Sequence, residues 1–476
     1  MSSPSHLVFR FLVAVAVVAL AGCETARTPA RSPSSAPIVI GAVFPLEGTA
    51  GQLASHELEG VRIAADVVNA DGGVHGRRIE LDVRDLESRQ DAPAVMADLA
   101  TAGIRMVVGA YSSDLSIAAS QAADAAGLVY WEAGAVADRL TGRGLPLVFR
   151  VGASGSTLGV NSAEFAAAEL ASRLERTPKT LRTAIVAAQD DYAASVADAA
   201  ARTAAAYGVP IVARDTYNLS APDWSAVMAD LEAARPDVII LASHILDGIA
   251  FRRAMLAANV HAAALIGSTM AECDPDFAGD LGADAVGIFA SDRPTAGFNP
   301  DVLQPSARTV YDRFASAWQA GHAASTSSGA SGNAAEPGGR GSEYGSGSEY
   351  GSGSEYGSGD TEYTISGPSE QPSAEASEEA LAGFTAGWAL FHQVLATVDG
   401  TALDAQHIAA AARAIDLPAG TLPNGAGLRF STDPATLGQN TRAVGVIWQW
   451  QAVRHYEFVW PATYATGSIQ FVPLSR

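Results

Sequence analysis

Cysteine is almost missing from this 476-residue chain, which has only Cys23 and Cys273. With Cys23 at the end of an N-terminal apolar run, no disulfide framework is left. Basic residues are scarce too: 30 Lys and Arg stand against 51 Asp and Glu, for a formal net charge of −21. Binding nucleic acid or an anionic membrane surface needs clustered Lys and Arg, so neither is expected as a partner. Beyond the N-terminal run no apolar stretch approaches the roughly 18 residues of a membrane span. Catalytic signatures are missing as well. Gly142-Arg143-Gly144 is followed by Leu147 where a dinucleotide-binding loop needs glycine. His56-Glu57 lacks the second histidine of a zinc-protease helix, and there is no CxxC and no G-x-S-x-G elbow. The histidines are scattered and give no basis for zinc. No cofactor, no metal and no enzymatic activity are therefore expected.

What the chain does have begins with its leader. Residues 11–23 read FLVAVAVVALAGC after Arg10. About 10–14 apolar residues suit the core of a signal peptide better than a membrane span. The ending, Leu20-Ala21-Gly22-Cys23, resembles a bacterial lipobox, in which the cysteine thiol takes a lipid before cleavage. Residues 1–22 are then a lipoprotein signal peptide. The mature chain starts at Cys23, outside the cytoplasmic membrane and held to it by lipid such as palmitate. The plainer alternative is an ordinary signal peptide with a chance cysteine. Residues 23–37, rich in Pro, Ser, Thr and Ala, have no apolar period and read as a flexible tether.

A second unusual stretch runs from 321 to 377, where the composition turns to Gly, Ser, Glu and Ala. GSEYGS occurs three times in succession, from Gly341, Gly347 and Gly353. Such repeats behave as flexible coil, so this is read as a disordered acidic insert in a surface loop. A spaced ligand for a partner, using Tyr344, Tyr350 and Tyr356, is the alternative.

Elsewhere strand and helix patterns alternate. IVIGAVF at 38–44 is a β-branched run. Leu58, Val61, Ala65 and Val68 share one helical face that Asp71-Gly72-Gly73 stops. Ile79, Leu81 and Val83 alternate as a strand; 104–108 and 128–131 are apolar strands with a helix from 115 to 126 between them. Strands at 184–187, 209–213 and 238–241 are separated by Ala-rich helices. Short strands alternating with longer helices imply βαβ units and parallel sheets covered on both faces, an α/β protein. Ligands of such sheets sit beyond the carboxyl ends of the strands.

The loops leaving those strands hold the candidate site. Ser112 and Ser113 precede a helix whose free N–H groups would receive a carboxylate, or they are a plain N-cap. Trp131-Glu132 pairs an aromatic face with an acid, a seat for an ammonium or amide, or a buried Trp beside a salt-bridged Glu. Tyr192 follows Gln189-Asp190-Asp191 at a strand-to-helix junction, and His244 stands after another strand. Glu272 and Asp274 could neutralise an ammonium or serve as turn residues beside Pro275.

These residues, in order, resemble a known family. GAVFPLEGTAGQL, NADGGVHGRRIEL, VVGAYSSDLS, GLVYWEAGAVADRLTGRG, FRVGASG, QDDYAASVADA, ARPDVIILASHILDG and GLRFSTDPATLGQN are similar to segments of the type I extracytoplasmic solute-binding proteins of ABC transporters, in the leucine/isoleucine/valine-binding group. The likeness implies two doubly wound parallel-sheet lobes joined by three crossovers. Lobe 1 would take residues 38–153, 295–320 and 378–434, and lobe 2 residues 154–294 and 435–476. By the resemblance, Ser113 receives a ligand carboxylate, with Tyr111 and Ser112 beside it. The ammonium loop matches Gly134 to Val136, without the family's threonine. Tyr192 and His244 match two aromatic positions of the second lobe. The family glutamate that meets the ammonium falls near Thr269, where no acid stands, so Glu132, Glu272 or Asp274 would replace it. The implied function is a lipid-anchored receptor that takes a small polar solute to an ABC permease. That solute is an amino acid, a branched-chain one included, or a related amide or carboxylate. A ligand-sensing domain of a membrane signalling system, or an exported enzyme with an unrecognised site, are the alternatives.

Overall fold

The computed structural model describes residues 36–474 except 49, 269–274, 330–375 and 402. Cys23, residues 23–35 of the tether, the GSEYGS repeats, Thr269, Glu272, Cys273 and Asp274 lie outside the described residues.

The β-branched run becomes strand β1 (Ile38–Phe44), followed by helix α1 (Gly51–Ala70), β2 (Ile79–Asp85), α2 (Ala92–Thr101), β3 (Met106–Gly109), α3 (Ser113–Ala125), β4 (Val129–Glu132) and β5 (Val148–Arg150). These five strands form one parallel sheet in the order β2-β1-β3-β4-β5. The chain then builds α4 (Gly155–Phe165), the short α5 (Ala171–Arg173), β6 (Thr183–Ala188), α6 (Asp191–Tyr207), β7 (Ile211–Tyr217), α7 (Trp224–Ala234), β8 (Val238–Ala242), α8 (Ile245–Ala257), β9 (Ala264–Ser268), α9 (Pro275–Leu281) and β10 (Phe289–Asp292). It returns to the first sheet with α10 (Pro305–Gly329), α11 (Glu378–Trp388) and α12 (Ala405–Ala414), and ends in the hairpin β11 (Val446–Ala452) and β12 (His455–Trp460). The second sheet runs β12-β11-β10-β9-β8-β6-β7. Its strands β6 to β10 are parallel, while β11 and β12 add to β10 antiparallel. The sequence reading anticipated only parallel pairing there. A two-residue reversal lets β12 pair antiparallel with β11 without a crossover helix.

The expected helix between strands three and four starts two residues early, because Ser112 rather than Leu115 marks its beginning. α10 also continues to Gly329, nine residues into the stretch read as coil from 321. Alanines in HAAS carry helix propensity that outweighs the polar composition.

Trp131 shows how the first sheet is held. Strand alternation turns it away from Tyr130 and Glu132. It is fully buried, with Phe149 at 5.7 Å and Phe430 at 5.2 Å between ring centroids. Its indole N–H donates to the Ala386 carbonyl at 2.9 Å, tying β4 to α11. Truncating such a side chain typically costs about 3–5 kcal/mol. Helices α1 and α11 cross with backbones in contact. A β-carbon at Gly60 would lie 2.0 Å from the Ala380 oxygen, and one at Gly383 1.9 Å from the Glu57 oxygen.

The chain passes three times between the sheets, at about residues 151–154, 293–304 and 431–445. The first and third passages are stitched together. Asn440 Nδ2 donates to the Val151 and Gly427 oxygens, both at 2.9 Å, and Gln439 Nε2 donates to the Gly152 oxygen at 3.0 Å.

Candidate functional site

β3 ends at Gly109, and Tyr111 takes a left-handed backbone, φ 78°, to turn the chain into α3. Ser112 is a working N-cap whose Oγ accepts the Leu115 N–H. That N–H is one of the helix's orphan donors. Ser113 Oγ accepts the Ala137 N–H at 3.1 Å and so ties α3 to the loop after β4. Tyr111 is buried, and its hydroxyl has no partner among the described residues.

At the end of β4, Glu132 is fully buried. Its Oε1 accepts the Gly134 N–H at 2.9 Å and the Ala135 N–H at 2.7 Å, and Tyr130 donates to Oε2 at 3.1 Å. Burial pushes its carboxyl up to about 7, against the pull of these donors. Glu132 therefore shapes the Gly134–Val136 loop, with Tyr130 and Ser116 as further hydrogen-bond partners. Val136 is buried, and its carbonyl accepts the Gly155 N–H at the start of α4.

On the second sheet, Asp190 caps α6 by accepting the Ala193 N–H at 2.8 Å. Tyr192 turns inward. Its hydroxyl lies 2.6 Å from the Ser268 oxygen and 3.1 Å from the Ser243 oxygen, joining the ends of β8 and β9. Its ring meets His244 edge-on at 5.3 Å. The His244 imidazole sits 3.2 Å from Asp190 and 3.7 Å from Asp247. Burial works against its charge, but the hydrogen bond and charge of Asp247, with the charge of Asp190, outweigh it and raise the pKa.

The two sets of loops meet. Asp138, after β4, accepts the Ser156 N–H at 3.0 Å and the Ser156 hydroxyl, while its own N–H donates to Ser195 Oγ at 3.0 Å. Arg139 reaches Asp191 at 3.0 Å, with both side chains about half in water. A cavity of about 280 Å³, bordered by Arg89, Asp114, Arg139 and Asp191, opens at this mouth. Thus Ser113, Glu132, Gly134 and Val136 gather on one side, with Tyr192 and His244 on the other.

The structure adds residues that the sequence reading passed over. Glu57 is fully buried on α1, and both its carboxylate oxygens lack a hydrogen-bond partner among the described residues. One of them packs so closely on Gly134 that a β-carbon there would lie 1.9 Å away. Arg293, the first residue beyond β10, donates to the Gly134 carbonyl and pairs with Glu378 in the first turn of α11. Arg150 donates to Gln439 at 2.5 Å and to the Ala137 oxygen at 2.7 Å. A signal for Glu57 was present: it lies four residues from Leu53 and from Val61, so an acid stands inside the apolar stripe of α1.

The comparisons agree with this architecture. Residues 37–335 match a family model described as periplasmic binding protein. The chain is 25% identical over 438 residues to Leu/Ile/Val-binding protein homolog 8 of Brucella abortus, covering 92% of this chain and 93% of that one. In structure it is similar to the branched-chain amino acid transporter substrate binding protein LivJ from Streptococcus pneumoniae in complex with isoleucine. The TM-score is 0.61 at 17% identity, over 89% of this chain and 100% of that one. It is likewise similar to an ABC transporter solute binding protein of R. palustris in complex with benzoate, with a TM-score of 0.60 at 16% identity, over 91% of this chain and 98% of that one. A family match across more than half the chain, on two α/β lobes of this topology, means that the chain belongs to the periplasmic binding protein family and has its type I fold.

Proposed function

We propose that this protein is a lipid-anchored extracytoplasmic receptor that closes on a small polar solute between its lobes and delivers it to an ABC permease. The solute class is an amino acid, a branched-chain one included, or a related amide or carboxylate. One observation carries the reading: the loops beyond the carboxyl ends of both sheets face each other and join through Asp138, Ser156, Ser195, Arg139 and Asp191. Strand carboxyl ends are where open α/β sheets take ligands. A solute touching both sets of loops favours the joined arrangement by its differential affinity for it.

Anchoring rests on Cys23 at the end of the leader. Multiple acyl chains hold a protein stably where one does not. Cys23→Ala is expected to abolish incorporation of a fatty-acid analogue and release the protein from the membrane fraction. Undiminished labelling would rule the anchor out. The receptor reading is tested by mass spectrometry of solute retained on the purified protein, followed by titration calorimetry with that solute. Recovery of the solute unchanged after incubation supports a receptor; its conversion to product supports an enzyme.

A further inference from the structure

We infer, resting on the receptor reading above, that what anchors the solute is a cationic nitrogen received by lobe 1 itself, at Glu57 and Tyr111 beside the acidic start of α11. The corresponding amine, stripped of its carboxylate, should then bind at least as well as an amino acid.

Buried charge near Gly134 is out of balance. Glu57, Glu132, Asp292, Glu378 and Glu379 are all more than nine-tenths buried. Glu57, Glu132 and Glu378 are linked around Gly134 and Arg293, and Asp292 and Glu379 are the chain neighbours of Arg293 and Glu378. Glu57 packs on Gly134, the Gly134 N–H bonds Glu132, and the Gly134 carbonyl is held by Arg293. Arg293 in turn pairs with Glu378. The buried cations in this neighbourhood are Arg293 and Arg150. With Glu57, Glu132 and Glu378 set against Arg293 and Arg150, the carboxyls outnumber the guanidinium groups, and a low-dielectric interior offsets such a surplus with protons or a further cation.

A second observation shows where that cation belongs. Glu57 accepts no hydrogen bond at either oxygen, and the nearby Tyr111 hydroxyl, on a side chain 5% exposed, also has no partner among the described residues. Burial, with the negative charges of Glu379, Glu378 and Glu57, pushes that phenol up, against the pull of Arg293. The Tyr111 phenol and the Glu57 carboxyl are thus both buried with their hydrogen-bonding capacity unmet among the described residues, an unfavourable state that a donor-rich ligand would relieve.

The backbone donors that would welcome an anion are meanwhile engaged. The Gly134 and Ala135 N–H groups go to Glu132, the protein's own carboxylate, and the Ala137 N–H goes to Ser113. Arg293 keeps only Nε without a partner. Unmet capacity in the cluster is thus mostly acceptor capacity, which suits an ammonium or amidinium, with several N–H donors and a positive charge.

The test uses the full chain, retained solute by mass spectrometry, and calorimetry with two matched sets. One set is 3-methylbutylamine, leucine, 4-methylpentanoate and 4-methylpentanamide; the other replaces the isobutyl group by benzyl. The amine of one set is expected to bind as tightly as its amino acid or more tightly. The acid and the amide of that set should be weaker by about 100-fold, as expected for loss of a buried charge partner. Glu57→Gln should weaken the amine by about 30-fold or more, and Tyr111→Phe by several-fold, with unchanged circular dichroism. Tyr111→Phe keeps the test alive if Glu57→Gln fails to fold. Tight binding of an acid or amide, or wild-type affinity in the variants, overturns the inference and leaves the receptor reading standing. No retained solute and no binding by any member would overturn both.

Discussion

Replacing Glu132 by glutamine should change how stability depends on pH, and the size of the change follows from the site. In the folded protein burial lifts this carboxyl from 4.5 to about 7. The sign follows from linkage: between those values the folded state keeps a proton that the unfolded state has lost, so stability falls as pH rises. One pKa unit is worth about 1.4 kcal/mol, so the fall reaches about 3 kcal/mol by pH 8. Glutamine has no charge to bury and can still accept the Gly134 and Ala135 N–H groups through its oxygen. Glu132 also raises the Glu57 carboxyl through its charge, so Glu132→Gln relieves that group in the same direction. Relative to wild type, Glu132→Gln should therefore gain about 3 kcal/mol between roughly pH 4 and pH 8. Urea unfolding followed by tryptophan fluorescence at both ends of this range reads the gain. A difference between the two proteins that does not change with pH would refute the reasoning.

Two further outcomes follow from contacts elsewhere. Gly60→Ala places a β-carbon 2.0 Å from a backbone oxygen of α11, so the helices must part. Overpacking of this kind costs about 3 kcal/mol at its upper end, more than the roughly 1 kcal/mol that alanine gains over glycine in a helix, and a raised urea midpoint would contradict it. The Arg139–Asp191 pair bridges the cleft mouth with both side chains about half in water. A double-mutant cycle on solute affinity should give a coupling of about 0–1 kcal/mol that disappears in high salt; a larger, salt-insensitive coupling would mean that the pair is buried during binding.

Much of the architecture was legible because apolar runs and helical stripes are local signals. The first strand is found at Ile38–Phe44 as read, and β6 and β8 lie within a residue of their expected limits. The hairpin β11–β12 was less visible. Its antiparallel edge position depends on which strand it joins, and that is a long-range fact. Ser112, Ser113, Tyr192 and His244 were readable as residues at strand-to-helix junctions. Their bonding was not readable, since Ser113 meets Ala137 and Tyr192 meets Ser268 only after the chain folds. Glu132 looked like a seat for an ammonium, yet it holds the adjoining loop amides. The acid left unpaired is Glu57, hidden inside the apolar stripe of a helix, with Glu378 brought to the same place from far along the chain. A charge among apolar neighbours four residues apart is a signal, but only packing reveals which partners it lacks.

The central claim is that one solute is held from both lobes, and calorimetry on two variants tests it most directly. With the solute recovered from the native protein, Ser113→Ala on one side and Tyr192→Ala on the other should each weaken binding by about tenfold or more, the equivalent of losing about 1.4 kcal/mol. Circular dichroism should show both variants folded. Wild-type affinity in both would contradict the account, because the solute would then lie outside the cleft.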